Sequence, residues 1–120
     1  MNCPFCEIKE YVFENELCYA VYDKYPVTKG HMLIITKRHV ADYFQMTEEE
    51  LKAALDLVDD CKNHLDEVFS PDAYNIGSNA GLEAGQTIMH LHIHLIPRYR
   101  GDIEDPTGGV RGVIPERQKY

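Results

Sequence analysis

The 120-residue sequence contains no run approaching the roughly 18 uncharged apolar residues of a membrane span. Its first residues, Met1-Asn2-Cys3-Pro4, have neither the basic start nor the apolar stretch of a secretory signal. Export and membrane insertion are therefore not expected, and a cytoplasmic location is. Basic residues are scarce: 12 Lys and Arg stand against 20 Asp and Glu, for a net charge of −8. That balance argues against a nucleic-acid partner, which calls for a basic face. No internal repeat or low-complexity stretch divides the chain. With 44% hydrophobic residues it can bury a core, and its length suits one domain spanning residues 1–120. Cysteines number four, and without a secretory signal they read as metal-binding or redox residues in preference to a disulfide framework.

The acidity is concentrated. Between Thr47 and Phe69, eight acids face only Lys52 and Lys62, which leaves the rest of the chain nearly neutral and able to hold a local anion site. Apolar residues Leu51, Ala54, Leu55, Val58, Cys61, Leu65, Val68 and Phe69 recur there at three-and-four spacing, which predicts one long helix with one buried face. Thr47 and Glu50 form a capping-box pair, and Pro71 ends the helix. Strands are predicted at Leu17–Tyr22, His31–Thr36, Ala73–Gly77 and Ile88–Ile96, the last stopped by Pro97, with a hairpin turn over Pro26–Gly30. The fold class is α+β, a mainly antiparallel sheet with the helix on one face. From about residue 101 the chain reads as an irregular, extended tail.

Three of six histidines stand at His90, His92 and His94. Alternate residues of a strand share a face, so the three imidazoles point one way and Leu91, Ile93 and Leu95 the other. A polar solvent face would accept Thr, Lys or Glu equally well. Three adjacent titratable rings point instead to a metal cluster or to covalent and general-acid chemistry near neutral pH. His31 opens one strand and His39 follows its end. The segment from Gly77 to Thr87 carries three glycines that let backbone amides approach a phosphate, or that form an ordinary turn. Cys3-Pro4-Phe5-Cys6 supplies two thiolates at the spacing of half a tetrahedral zinc site, with a redox pair as its rival. Cys18 and Cys61 read as buried apolar residues and His64 as an exposed one.

The run His90-Leu91-His92-Ile93-His94-Leu95-Ile96 resembles the signature of the histidine-triad (HIT) family. The resemblance extends from Cys3 to about Pro115. It takes in Gly30-His31, Lys37-Arg38-His39, Asn79-Ala80-Gly81 and Gly85-Gln86-Thr87. It implies a HIT-like antiparallel sheet of about five strands with one long helix, continued across a homodimer. It also implies a nucleotide hydrolase or transferase acting at an α-phosphate. His92 would be the nucleophile and form a nucleotidyl-histidine intermediate. The His90 carbonyl would hold the Nδ1–H of His92, and His94 would contact the phosphate and assist the leaving group. His31 would belong to the same catalytic group. Asp23 would bind the ribose hydroxyls, Asn79, Gly85, Gln86 and Thr87 the phosphate region, and Phe5 and Ile8 the base. Relatives with a C-x-x-C knuckle imply a structural zinc on Cys3, Cys6, His39 and His90.

Pro97-Arg98 followed by Gly101-Asp102, with Thr87 in the loop, lies closer to Fhit-type dinucleoside polyphosphate hydrolases than to Hint-type phosphoramidases. The leading expectation is therefore cleavage of a diadenosine polyphosphate to AMP, with Arg98, Arg100 and Arg111 meeting distal phosphates. The alternatives are hydrolysis of an adenosine phosphoramidate, nucleotidyl transfer or phosphorolysis, and a non-catalytic nucleotide- or metal-binding module.

Overall fold

The computed structural model describes residues 3–120. Five strands, β1 (Phe13–Glu14), β2 (Cys18–Tyr22), β3 (Met32–Thr36), β4 (Ala73–Gly77) and β5 (His92–Arg98), form one sheet in the order β1-β2-β3-β5-β4. All pairings are antiparallel. A single turn of helix, α1 (Pro4–Glu7), precedes the sheet, and the long helix α2 (Glu48–Phe69) joins β3 to β4. Because β5 inserts between β3 and β4, the histidine strand lies inside the sheet, hydrogen-bonded on both sides. None of the described helices is long and apolar enough to cross a membrane.

Helix α2 begins as its sequence predicts. The Thr47 hydroxyl accepts from Glu50 N at 3.1 Å, and the Glu50 carboxylate accepts from Thr47 N at 2.9 Å. Ser70, in the left-handed region at φ 50°, closes the helix before Pro71. The buried stripe is Ala54, Leu57, Val58, Cys61 and Leu65, packed with Ala20, Met32, Ile34, Ile93 and Leu95 of the sheet and with Leu91 just before β5. The expected stripe is corrected at two places: Leu55 and Val68 are exposed, and Leu57 takes the inward position. Spacing alone admits either residue, and Leu57 is the one packed in the core with the sheet residues.

Residues of opposite parity face away from α2. There Leu33 and Ile35 join Tyr19, Cys3 and Phe5 in a second, smaller cluster, so the N-terminal segment covers part of the histidine face. The β2–β3 hairpin turns at Gly30, whose φ is +90° and whose added Cβ would lie 2.9 Å from Phe69. Both the conformation and the space require glycine here.

Strand β5 starts at His92, later than predicted, and continues through Pro97 to Arg98. Proline is tolerated because β5 has outrun β3: the last β3 pair is Met32 with Leu95, and only β4 flanks Pro97. The tail differs from the expected extended chain. It forms 3-10 turns at Gly109–Val113 and Pro115–Arg117 and folds back against Asn75 of β4.

Candidate functional site

His92 and His94 stand on the face opposite α2, across from Ile35 and Leu33 of β3, with Gly77 of β4 on the other side of His94. Gly77 has ordinary φ and nothing within 4 Å of an added Cβ, so its missing side chain leaves open space beside His94. His90 departs from the predicted geometry. It lies in the bend before β5, fully buried, and its ring turns toward the N-terminal cysteines. Its carbonyl nonetheless accepts the Nδ1–H of His92 at 2.8 Å. In the neutral ring that bond leaves Nε2 of His92 without a hydrogen. No buried side-chain N or O among the described residues lacks a partner, so this unpartnered nitrogen reaches solvent. The Phe5 ring packs edge-to-face with His92, centroids 4.9 Å apart.

His31 and Asp23 come to the same place from the β2–β3 hairpin. His31 Nε2 is 2.9 Å from His94 Nδ1 and 3.5 Å from the Asp23 carboxylate, and its Nδ1 accepts from Val27 N at 3.0 Å. Burial, with smaller contributions from His92 and His31, lowers the pKa of His94 to about 4. Burial also lowers that of His31, and Asp23 opposes the shift. Asp23 itself is half-buried, one oxygen accepting from Tyr25 N at 2.9 Å.

The glycine-bearing loop returns over this face. Ser78 Oγ donates to the His92 carbonyl at 2.8 Å, prolonging the β4–β5 ladder with a side chain. Sequence reasoning gave Ser78 no part, and only the register could have singled it out. Gly81 and Gly85 have φ near +104° and +96°. Asn79 is half-buried and Thr87 exposed, neither making a side-chain hydrogen bond to a described residue. Gln86 is turned into the loop. It is buried, its amide donates to Ala41 O and Ile88 O, and its oxygen accepts from Gly81 N. With both donors committed, Gln86 shapes the loop from within.

Cys3, Cys6, His39 and His90 converge, all four donor atoms lying within 4.8 Å of one another. Individual separations are 3.3 Å (Cys3 Sγ to His90 Nδ1), 3.2 Å (Cys6 Sγ to His39 Nδ1) and 3.5 Å (Cys6 Sγ to His90 Nδ1). Tetrahedral zinc, with bonds near 2.3 Å to sulfur and 2.0 Å to nitrogen, sets such edges at about 3.5 Å, so the donors fit. His90 Nε2–H donates to Thr36 O at 2.7 Å, which leaves Nδ1 bare for a metal. The segment carrying His39 is anchored by Arg38, whose guanidinium forms a fork with the buried Glu50 carboxylate at 2.7 and 3.0 Å.

Two arginines expected at distal phosphates are otherwise engaged. Arg98 pairs in fork fashion with Asp102 at 2.8 and 2.9 Å and donates to Asn75 at 2.7 Å. Arg111 donates to the carbonyls of Gln118 and Arg117 and lies over the Tyr120 ring. Arg100 is exposed. Cys18 and Cys61 are buried as expected, whereas His64 is half-buried, 2.7 Å from the Tyr22 hydroxyl.

Comparison with known proteins identifies the family. A match to the HIT domain spans residues 7–101. A HIT-like protein of Mycoplasma pneumoniae is 38% identical over 104 residues, covering 82% of this chain and 72% of the relative. The crystal structure of a HIT family protein from Bacillus anthracis superposes with TM-score 0.78 at 38% identity, over 84% and 76% of the two chains. A zinc-bound histidine-triad protein of Mycobacterium smegmatis gives TM-score 0.77 at 30% identity, over 86% and 79%. The asymmetrical bis(5'-nucleosyl)-tetraphosphatase of Schizosaccharomyces pombe is 34% identical over 78% of this chain and 51% of its own length. An imidazole held at Nδ1 by a main-chain carbonyl on an interior strand, a glycine loop tied to that strand and these matches place the chain in the HIT family.

Proposed function

We propose that the protein is a nucleotide hydrolase acting at the α-phosphate through His92. One observation carries this reading: the His90 carbonyl holds the Nδ1–H of His92, and Nε2 is bare and open to solvent. The Nε2 lone pair forms a bond to phosphorus as the bond to the leaving group breaks, the leaving group keeping the electron pair. Water then attacks the nucleotidyl-histidine, the P–N bond breaks, and the nucleoside monophosphate leaves. His94, Asn79, Thr87 and the amides around Gly85 surround the phosphate in this reading. Asp23 takes the ribose, and Phe5 and Ile8 border the base.

Cys3, Cys6, His39 and His90 would hold a structural zinc, which supplies charge neutralisation and a cross-link between the N-terminus and the strand ends. The zinc-bound Mycobacterium smegmatis relative supports this assignment. A homodimer that continues the sheet accompanies the reading.

The tetraphosphatase relative favours a dinucleoside polyphosphate as substrate. A second reading, an adenosine phosphoramidate, is favoured by the engagement of Arg98 and Arg111, which leaves fewer cations for a long phosphate chain. Mass spectrometry of enzyme quenched during turnover should show a nucleotidyl adduct that vanishes in His92→Gly. Absence of the adduct from active enzyme would refute the mechanism. Side-by-side rates on diadenosine tetraphosphate and on an adenylyl-lysine amide separate the two substrate classes.

A further inference from the structure

We propose that His31 is the positioning residue that sets which nitrogen of His94 carries hydrogen, making His94 a neutral donor through Nε2. The inference rests on the nucleotide-hydrolase reading only for what that donor acts upon.

The assignment follows from one fixed group. A backbone N–H can only donate, so Val27 N–H, 3.0 Å from His31 Nδ1, requires a lone pair on that nitrogen. The hydrogen of neutral His31 must then sit on Nε2. There it meets two acceptors, His94 Nδ1 at 2.9 Å and the Asp23 carboxylate at 3.5 Å. His94 Nδ1 is thereby the accepting nitrogen, and the single hydrogen of neutral His94 is placed on Nε2. That nitrogen has no partner among the described residues, and it reaches solvent because no buried side-chain N or O among them is unpartnered. The adjacent rings of β5 are thus set in opposite senses. Neutral His92 presents a bare Nε2 because a carbonyl accepts its Nδ1–H, and His94 presents an Nε2–H because the His31 Nε2–H donates to its Nδ1.

A second proton on His31 would have to displace the Val27 bond, and burial already disfavours charge on both His31 and His94. A neutral imidazole donates a hydrogen bond without transferring its proton. Aimed at an oxygen that gains charge during phosphoryl transfer, it stabilises the transition state as an oxyanion-hole donor does. The donors of Asp23, His31 and His94 also lie within 4.8 Å of one another, as a cation site would require. A cation there would need the lone pair of His31 Nε2, and the Val27 N–H on the opposite nitrogen forbids it.

The test is 1H–15N NMR of the zinc-loaded full chain labelled at histidine, at pH 7, joined to kinetics of two near-isosteric variants. His31→Gln retains an N–H able to reach His94, whereas His31→Glu offers only acceptors. The wild type and His31→Gln should show His94 with hydrogen on Nε2, and His31→Glu should show it on Nδ1. With an adenylyl-lysine amide, kcat should fall about 100-fold in His31→Glu and less than about tenfold in His31→Gln, with KM nearly constant, as expected for loss of one transition-state donor. A wild-type spectrum with hydrogen on His94 Nδ1, or equal loss in both variants, would overturn the proposal. If neither variant folds, the wild-type spectrum alone decides. Hydrogen on Nε2 in a wild-type chain that turns over no nucleotide would support the assignment and count against the hydrolase reading.

Discussion

The carbonyl oxygen of His90 accepts the Nδ1–H of His92 at 2.8 Å, while the ring of the same His90 faces Cys3 at 3.3 Å. One residue therefore connects the thiol–imidazole cluster to the proposed nucleophile, its main chain serving one and its side chain the other. Phe5, between the two cysteines in sequence, adds a second connection through its contact with the His92 ring.

Metal removal should act through this connection. We predict that a strong chelator, or Cys6→Ser, releases zinc and lowers the melting temperature, with activity falling as the N-terminal segment loosens. Zinc content by atomic emission and thermal unfolding on the same samples provide the check. Zinc release with unchanged unfolding and unchanged turnover would sink the structural role.

Gly30→Ala is predicted to cost about 3 kcal/mol, combining an L side chain at positive φ with overpacking of a core already filled by Phe69. Because Gly30 immediately precedes His31, the same substitution should reduce turnover of the folded fraction. Urea denaturation gives the first quantity and initial rates the second. A change below about 0.5 kcal/mol, the range of neutral surface substitutions, would contradict the argument.

Glu50 makes stability depend on pH at the acid end. The Arg38 guanidinium, aided by Thr47, holds its carboxyl below the usual glutamate range, opposed by burial. A depressed native pKa stabilises the fold above the unfolded value and loses that stabilisation as pH falls through the native value. Glu50→Gln should therefore cost about 2 kcal/mol at pH 7, through the lost fork and weakened capping box, and progressively less below about pH 4. Urea midpoints for wild type and variant that stay parallel from pH 7 to pH 3 would show the prediction wrong.

His94 should remain neutral through the physiological range. Burial leads, and the neighbouring His92 and His31 add to it against Asp23, bringing the pKa to about 4. A 1H–13C NMR titration of the His94 ring should show its midpoint there and no change between pH 6 and 8. A midpoint near 6.5, the value of an unperturbed imidazole, would remove the basis for a neutral donor.

Much of this was written in local pattern. Helix α2, its capping box, the apolar alternation of Leu91, Ile93 and Leu95, and the C-x-x-C pair each depend on spacings of a few residues. Local pattern failed where a neighbour distant in sequence made the choice. The two-residue strand β1 is too short to carry a period, and Leu55 and Leu57 differ only in where the sheet lies. Arg98, Arg111 and Gln86 have the chemistry of phosphate ligands, and the folded chain employs their donors elsewhere.

The sequence by itself determined that His92 and His94 would share one side of a strand and that two thiols would stand at knuckle spacing, since both follow from the covalent geometry of near neighbours. Tertiary structure decided what each ring can do. His90 meets Cys3 across 87 positions and His31 meets His94 across 63. A hydrogen settles on one imidazole nitrogen or the other according to the partner facing it, and that partner is brought there by the folding of the sheet.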